Sequence, residues 1–156
     1  MPDMLVKLYD LPPLMPALVA AARGGAMIRR AVSGDKRKTL AWVRAGFPSW
    51  VAETKTAFSL SPVTCFIALR EQTIVGFACY DATCPNFFGP TAVAEDQRGH
   101  GIGRALLLAT LHAQREQGYA YAIIGGVGPA AYYTKAVGAV VIEGSTPGIY
   151  AKQKRR

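Results

Sequence analysis

The segment 97–104, QRGHGIGR, constrains this chain more than any other. It joins an apolar run, 87–94, to a stretch, 101–117, in which Ile102, Leu106, Ala109 and Ala113 recur at the spacing of one helical face. A strand therefore feeds a helix through a turn with three glycines at alternate positions, Gly99, Gly101 and Gly103. Glycine lets backbone come close to a ligand, and the first N–H groups of a helix have no partner within it. Such a turn suits an anion, phosphate above all, and Arg98 and Arg104 add positive charge at the same place.

The elements around this turn follow from composition and spacing. Residues 5–9 alternate as a short strand, and Asp10, Pro12 and Pro13 turn the chain into an alanine-rich helix that ends at Gly24 and Gly25. Residues 29–38 read as a basic, glycine-punctuated connection, and the apolar spacing over 39–58, broken near Pro48, predicts two short helices. The β-branched and aromatic runs 64–69 and 73–80 predict a hairpin. Residues 119–127 read as a buried strand, Pro129 opens a helix that stops before Gly138, and 139–143 with 149–153 predict a last pair of strands. The order predicts an α/β or α+β sheet with helices on its faces, formed as one domain over 1–156.

Hydrophobic residues make up 51% of the chain and charged ones 18%, enough apolar material for a core and too little charge for a disordered solubiliser. Three cysteines, Cys65, Cys79 and Cys84, form no CxxC pair, and His100 and His112 stand too far apart for a zinc site. The expectation is no metal and a reducing compartment. The segment 11–22 is interrupted by Pro12, Pro13 and Pro16 and follows Asp3 and Asp10, unlike a secretory leader, and no run of 18 apolar residues suggests a membrane span. The chain reads as cytoplasmic, with no membrane partner.

The glycine turn fits neither of two familiar phosphate sites. A dinucleotide fingerprint is GxGxxG in a first βα unit, and a P-loop needs GK[ST]. Residues 87–108, FFGPTAVAEDQRGHGIGRALLL, instead closely resemble the central motif of the GNAT superfamily of acyl-CoA N-acyltransferases, with Arg98, Gly101 and Gly103 in its (Q/R)xxGx(G/A) positions. The resemblance implies a mixed, mostly antiparallel sheet of about six to seven strands flanked by about four helices. It further implies that acetyl-CoA is the co-substrate, with its pyrophosphate on the amides of Arg98, Gly99, His100, Gly101, Ile102, Gly103 and Arg104. Its pantetheine and acetyl group would lie beside Thr91, Ala92 and Val93, and the Val93 amide would polarise the thioester carbonyl. Residues 130–138, AAYYTKAVG, look like the family's AxxFYxKxG segment. By that match Tyr132 contacts the cofactor, and Tyr133 both contacts it and protonates the departing thiolate.

Two departures stand beside the resemblance: Gly125, Gly126 and Gly128 replace an asparagine the family often has after the fifth strand, and 87–94 carries no acid. The acids in reach are Glu53, Asp81, Glu95 and Asp96, and Asp81, at a strand end on the acceptor side, is the preferred base. Cys84 reads as an inert small hydrophobe rather than an acylated nucleophile. Trp42, Phe47 and Trp50 suit either helix packing or an apolar acceptor cleft. The implied activity is acetyl transfer to a primary amine of an unidentified small molecule or peptide by direct attack in a ternary complex. Three alternatives are a non-catalytic acyl-CoA-binding domain, an acetyltransferase directed at aminoacyl-tRNA or ribosome, and a nucleic-acid-binding module. The last two draw on the net charge of +8 and on two basic groups, Arg29, Arg30, Lys36, Arg37 and Lys38, then Lys152, Lys154, Arg155 and Arg156, which together hold half the basic residues. A homodimer through the C-terminal strands is a further partner implied by the family.

Overall fold

In the computed structural model, which describes the backbone of residues 1–155 and the side chains of 1–151, a strand that sequence did not suggest opens the sheet. β1 (Met4–Lys7) and α1 (Leu14–Arg23) form as expected, but the connection after them contains β2 (Met27–Arg30), paired antiparallel to the hairpin. Its arginines disguise it as a loop, yet they suit a sheet edge, where charge discourages further strands from pairing. The Arg29 guanidinium forks onto Asp35 at 2.7 and 3.0 Å, and Arg30 donates to the Val63 carbonyl and the Tyr80 hydroxyl at 2.7 Å each. Two of the five residues in the first basic group are thus spent on the fold. The side chains of the second, Lys152, Lys154, Arg155 and Arg156, lie outside the described residues.

A 3₁₀ turn at Pro48–Trp50 separates α2 (Lys36–Gly46) from α3 (Val51–Ser59), since proline cannot continue a helix. β3 (Cys65–Arg70), β4 (Thr73–Tyr80) and β5 (Phe87–Val93) follow, then α4 (Ile102–Glu116), β6 (Tyr121–Ile124), α5 (Ala130–Val137) and β7 (Val140–Val141). The seven strands run in the order β2-β3-β4-β5-β6-β1-β7, antiparallel throughout except for β5 beside β6. The architecture is the expected mixed, mostly antiparallel sheet, with five α-helices rather than about four. Successive strand residues face opposite ways, so Ala68 and Ala78 pack under α1 and α4 while Ile67 and Phe77 pack under α2 and α3.

The last predicted strand does not form. Residues of Gly148–Arg155 take 3₁₀ turns, and only Val140 and Val141 of 139–143 pair. β1 takes the inner edge of the two-residue β7, through Leu5 opposite Val140, and the chain beyond it turns away from the outer edge so that Tyr150 packs against Gly125, its hydroxyl 2.6 Å from where a Cβ would stand. Buried Asp3 seals that end, accepting the Gly126 N–H at 2.8 Å while its own N–H donates to the Ser145 hydroxyl at 2.8 Å.

The feature that positions the site is a failure of pairing. β5 and β6 hold together only through Phe87 with Ile123 and Phe88 with Ile124. Beyond them Gly89 adopts φ +116°, Pro90 has no N–H to give, and the β4–β5 register shifts between Ala78 and Tyr80. The two strands part and leave a wedge open toward α4 and α5. The wall opposite is packed tightly: a Cβ at Gly76 would lie 3.0 Å from the Ala92 carbonyl oxygen and 3.1 Å from Leu106. Gly76→Ala is expected to cost about 1–3 kcal/mol by overpacking. A urea titration checks this, with a lower midpoint and an unchanged slope as the expected result.

Candidate functional site

At the wide end of the wedge the glycine turn enters α4. Gly101 caps the helix at φ +79° and ψ 3°, a left-handed conformation that favours glycine, and Gly99 has φ +82°. Ala105 donates the first intrahelical bond, to Gly101, so the amides of Ile102, Gly103 and Arg104 enter the turn without a helical partner. The same helix start carries the positive end of a 15-residue dipole. Arg98 is exposed, its Nε donating to the Val93 carbonyl at 3.3 Å, and Arg104 is exposed on the first helical turn. The turn is braced from below by Arg70, whose Nε donates to Gln97 Oε1 at 2.7 Å.

From this turn a cavity of about 510 Å³ runs along β5. Thr91, Ala92 and Val93 form one wall, Arg98, Gly99, Gly101, Ile102, Gly103 and Arg104 the anion end, and Tyr132 and Tyr133 the wall from α5. Strand alternation decides which β5 amides face the space. Ala94 gives its N–H to the Val75 carbonyl on β4 at 2.8 Å, so the N–H of Val93 points to the opposite edge. β6 has already left that edge, and the Val93 amide faces the wedge as an unused donor. The Thr91 hydroxyl is occupied, donating to the Phe77 carbonyl at 3.0 Å.

A second cavity, of about 610 Å³, meets the first at Phe88, Thr91, Pro129 and Tyr133. Tyr133 therefore stands in the partition between them. Burial, with a lesser contribution from Tyr132, pushes its hydroxyl up to about 12, so it holds its proton across the neutral range. Tyr132 is also raised by burial, with Arg104 acting against the shift. Glu53, half-buried on α3, brings a carboxylate to the second cavity. Desolvation raises its pKa, and a hydrogen bond from Thr83 opposes the rise. Tyr150 closes the far side of the same space.

The model of the acetyltransferase (GNAT) domain matches residues 61–138, from just before the hairpin to the residue after α5. The chain belongs to the GNAT family. No curated protein matches the sequence significantly. Among solved structures, the glucosamine N-acetyltransferase region of a fungal multi-domain GH3 β-N-acetylglucosaminidase shares the fold at a TM-score of 0.75 with 12% identity over 90% of this chain. A GCN5-related N-acetyltransferase from Sphaerobacter thermophilus gives 0.67 with 21% identity, also over 90%. A GNAT family N-acetyltransferase from Escherichia coli, solved in complex with CoA, gives 0.53 with 28% identity over 69%. This chain covers 19%, 48% and 65% of those three chains, respectively.

Every residue expected to touch the cofactor except His100 lines the first cavity. His100 is exposed and its backbone turns toward α1, where a Cβ at Gly24 would meet its carbonyl oxygen at 3.5 Å. Asp81 lines neither cavity. Its Oδ1 accepts the Asn86 N–H at 2.7 Å, and its Oδ2 accepts Gln117 Nε2 at 2.8 Å and the Tyr119 hydroxyl at 3.3 Å, so it staples the β4–β5 loop to the end of α4. Glu95 and Asp96 sit exposed in a 3₁₀ turn outside both cavities. Of the four candidate acids only Glu53 reaches the site. Trp50 lines the second cavity, while Trp42 and Phe47 pack around it and Phe77. Cys84 lines neither cavity, and burial together with Asp3 and Asp81 pushes its thiol up, which disfavours the nucleophilic thiolate.

Sequence reasoning passed over Arg70, Asp3 and Tyr150, which act through residues far away in the chain and leave no local pattern. Gly103 is testable directly, because a Cβ there would sit 3.7 Å from Val93 Cγ2, at the wall of the first cavity. Gly103→Leu is expected to weaken CoA binding at least about tenfold by filling that wall, measured by titration calorimetry. Its thermal midpoint should not fall, since leucine is the better helix former by several tenths of a kcal/mol.

Proposed function

We propose that this protein is an N-acetyltransferase that moves the acetyl group of acetyl-CoA to a primary amine by direct transfer, with no acylated enzyme. The observation that carries the reading is the junction of the two cavities at Tyr133, with the Val93 amide on one side and the Glu53 carboxylate on the other. The first cavity fits an acyl-CoA: unpartnered amides and two arginines at the helix start suit a pyrophosphate, and the free edge of β5 suits an amide-bearing arm. The Escherichia coli relative solved with CoA supports that assignment.

When bound, acetyl-CoA supplies an activated acetyl thioester, whose carbonyl carbon bonds to the amine nitrogen as its bond to sulfur breaks. The chain's own residues do the rest. The Val93 N–H donates to the acyl oxygen, where negative charge grows, and a donor fixed in place by the strand needs no reorganisation as that charge appears. Glu53, directly or through one water, takes the proton that an arriving ammonium must lose and returns it to solvent. The Tyr133 O–H donates toward the sulfur. With its pKa pushed up to about 12, it acts as a hydrogen-bond donor that steadies the sulfur's growing charge, and the second proton, shed by the nitrogen as the amide forms, ends on the departing sulfur as the thiol. Holding both reactants in adjoining cavities supplies the orientation that a bimolecular reaction in water lacks.

Two pH predictions follow from the direction of these shifts. Glu53 must be ionised to accept a proton, so kcat/KM should fall as pH drops through its raised pKa, above the usual glutamate value of about 4.3. Glu53→Gln should abolish that limb and lower kcat/KM about 10²-fold. A carboxyl raised on folding carries stability that is present below its unfolded pKa and lost as pH rises through the folded one. At pH 7 the Gln variant should therefore unfold at a temperature no lower than the parent. A variant that retains the acidic limb contradicts the role of Glu53. Tyr133→Phe should lower kcat about 10²-fold with CoA affinity unchanged. No alkaline limb from Tyr133 is expected below about pH 10, and a rate equal to the parent's across the pH range contradicts its donor role.

A further inference from the structure

Resting on that reading, we infer that Gln97 is a further ligand of the acyl-CoA pyrophosphate, with Arg70 as the positioning residue that turns its carboxamide toward the phosphates. Gln97 ends the 3₁₀ turn Glu95–Gln97, immediately before Arg98, and lines the first cavity beside Gly99 and Gly101. Its backbone N–H is spent on the Ala94 carbonyl at 2.9 Å, so its side chain is what it can offer a ligand. Arg70, the last residue of β3, lines neither cavity and acts from behind.

The bond of 2.7 Å between the two side chains fixes which end of the carboxamide is left over. A guanidinium has donors alone, so the atom that meets Arg70 Nε is the oxygen, and the NH2 remains for another acceptor. Phosphate oxygens accept, and a hydrogen bond with an ionised acceptor is among the strong ones. A carboxylate at position 97 would cancel the charge of Arg70. The carboxamide keeps that charge, and a charged donor on its oxygen polarises the amide so that its N–H groups bond more strongly. The fold holds this pair in place. Gly25 leaves the room that the guanidinium fills, since a Cβ there would lie 2.7 Å from Arg70 Nη1. The other end of the turn rests on α1, where a Cβ at Gly24 would meet the His100 carbonyl oxygen at 3.5 Å and one at Gly101 would meet Ala20 Cβ at 4.0 Å. Seated at both ends, the turn loses little freedom when a ligand arrives.

The test uses Gln97→Glu, Gln97→Leu and Arg70→Leu, with CoA titrated by calorimetry and pantetheine, which lacks the phosphates, titrated through the NMR shift of the Val93 amide. Gln97→Glu separates binding from bracing, because a glutamate still accepts from Arg70 and keeps the turn seated while it sets a negative charge against the pyrophosphate. It should unfold at a temperature no lower than the parent and bind CoA about 10²-fold more weakly. Gln97→Leu and Arg70→Leu should each weaken CoA about tenfold. Combined, they should lose less than the product of the two single losses, because Arg70 acts through Gln97. Pantetheine affinity should equal the parent's in every variant. With the parent binding CoA, an unchanged CoA affinity in Gln97→Glu, an unchanged affinity in a folded Arg70→Leu, or a parallel loss of CoA and pantetheine each overturns the inference and leaves the acetyltransferase reading standing. Should Arg70→Leu fail to fold, the two Gln97 variants decide. If the parent binds neither CoA nor pantetheine, the acetyltransferase reading fails and the role of Gln97 with it.

Discussion

Two residue pairs, Phe87 with Ile123 and Phe88 with Ile124, hold β5 to β6, and the chemistry this protein can perform depends on the pairing stopping there. A sheet that continued to pair would use the Val93 amide in its own ladder and close the space beside it. The break has a local cause in Gly89, Pro90 and the shifted register with β4. It also has a global support, because the halves of the sheet on either side are anchored independently. β2, β3 and β4 pack between α4 on one face and α2 with α3 on the other. On the other side of the break β6 is held by β1, and Asp3 ties the loop after β6 to the C-terminal segment through Gly126 and Ser145. A wedge between two braced halves can stay open without a ligand to prop it.

That arrangement explains which parts of the molecule could be read from sequence. The glycine turn, the strand before it and the helix after it are local objects, and Gly99, Gly101 and Gly103 announce their backbone needs residue by residue. Gly89 and Pro90 are local too, but inside the apolar run 87–94 they read as part of one continuous strand and their break in the pairing shows only in the fold. β2 was hidden because its two arginines look like solvent-facing charge, whereas Arg29 pairs with Asp35 and Arg30 reaches Tyr80 across the sheet. The missing last strand was hidden because Tyr150 is drawn onto Gly125, a contact with a residue 25 positions earlier. No pattern within 149–153 could reveal that contact.

The acids show the same limit more sharply. Asp81 stands at the end of a strand that leads toward the site, a position that invites a catalytic reading, yet its carboxylate is consumed by Asn86, Gln117 and Tyr119. Glu53 lies about thirty residues earlier on a helix with no motif around it, and the fold delivers it to the cavity that meets Tyr133. Charge as a bulk property is equally misleading. A net +8 suggests nucleic acid, but part of that charge braces the sheet edge, through Arg29 on Asp35 and Arg30 on the Val63 carbonyl.

The most direct measurement is amide hydrogen exchange, resolved by residue with NMR, with and without saturating acetyl-CoA. The Val93 amide should exchange freely in the protein alone and become protected with acetyl-CoA, together with the amides of Ile102, Gly103 and Arg104, while the amide of Ala94, bonded to Val75, stays protected in both states. Unchanged exchange at Val93 and along the turn would contradict the central claim that the parting of β5 from β6 creates the acetyl-CoA site.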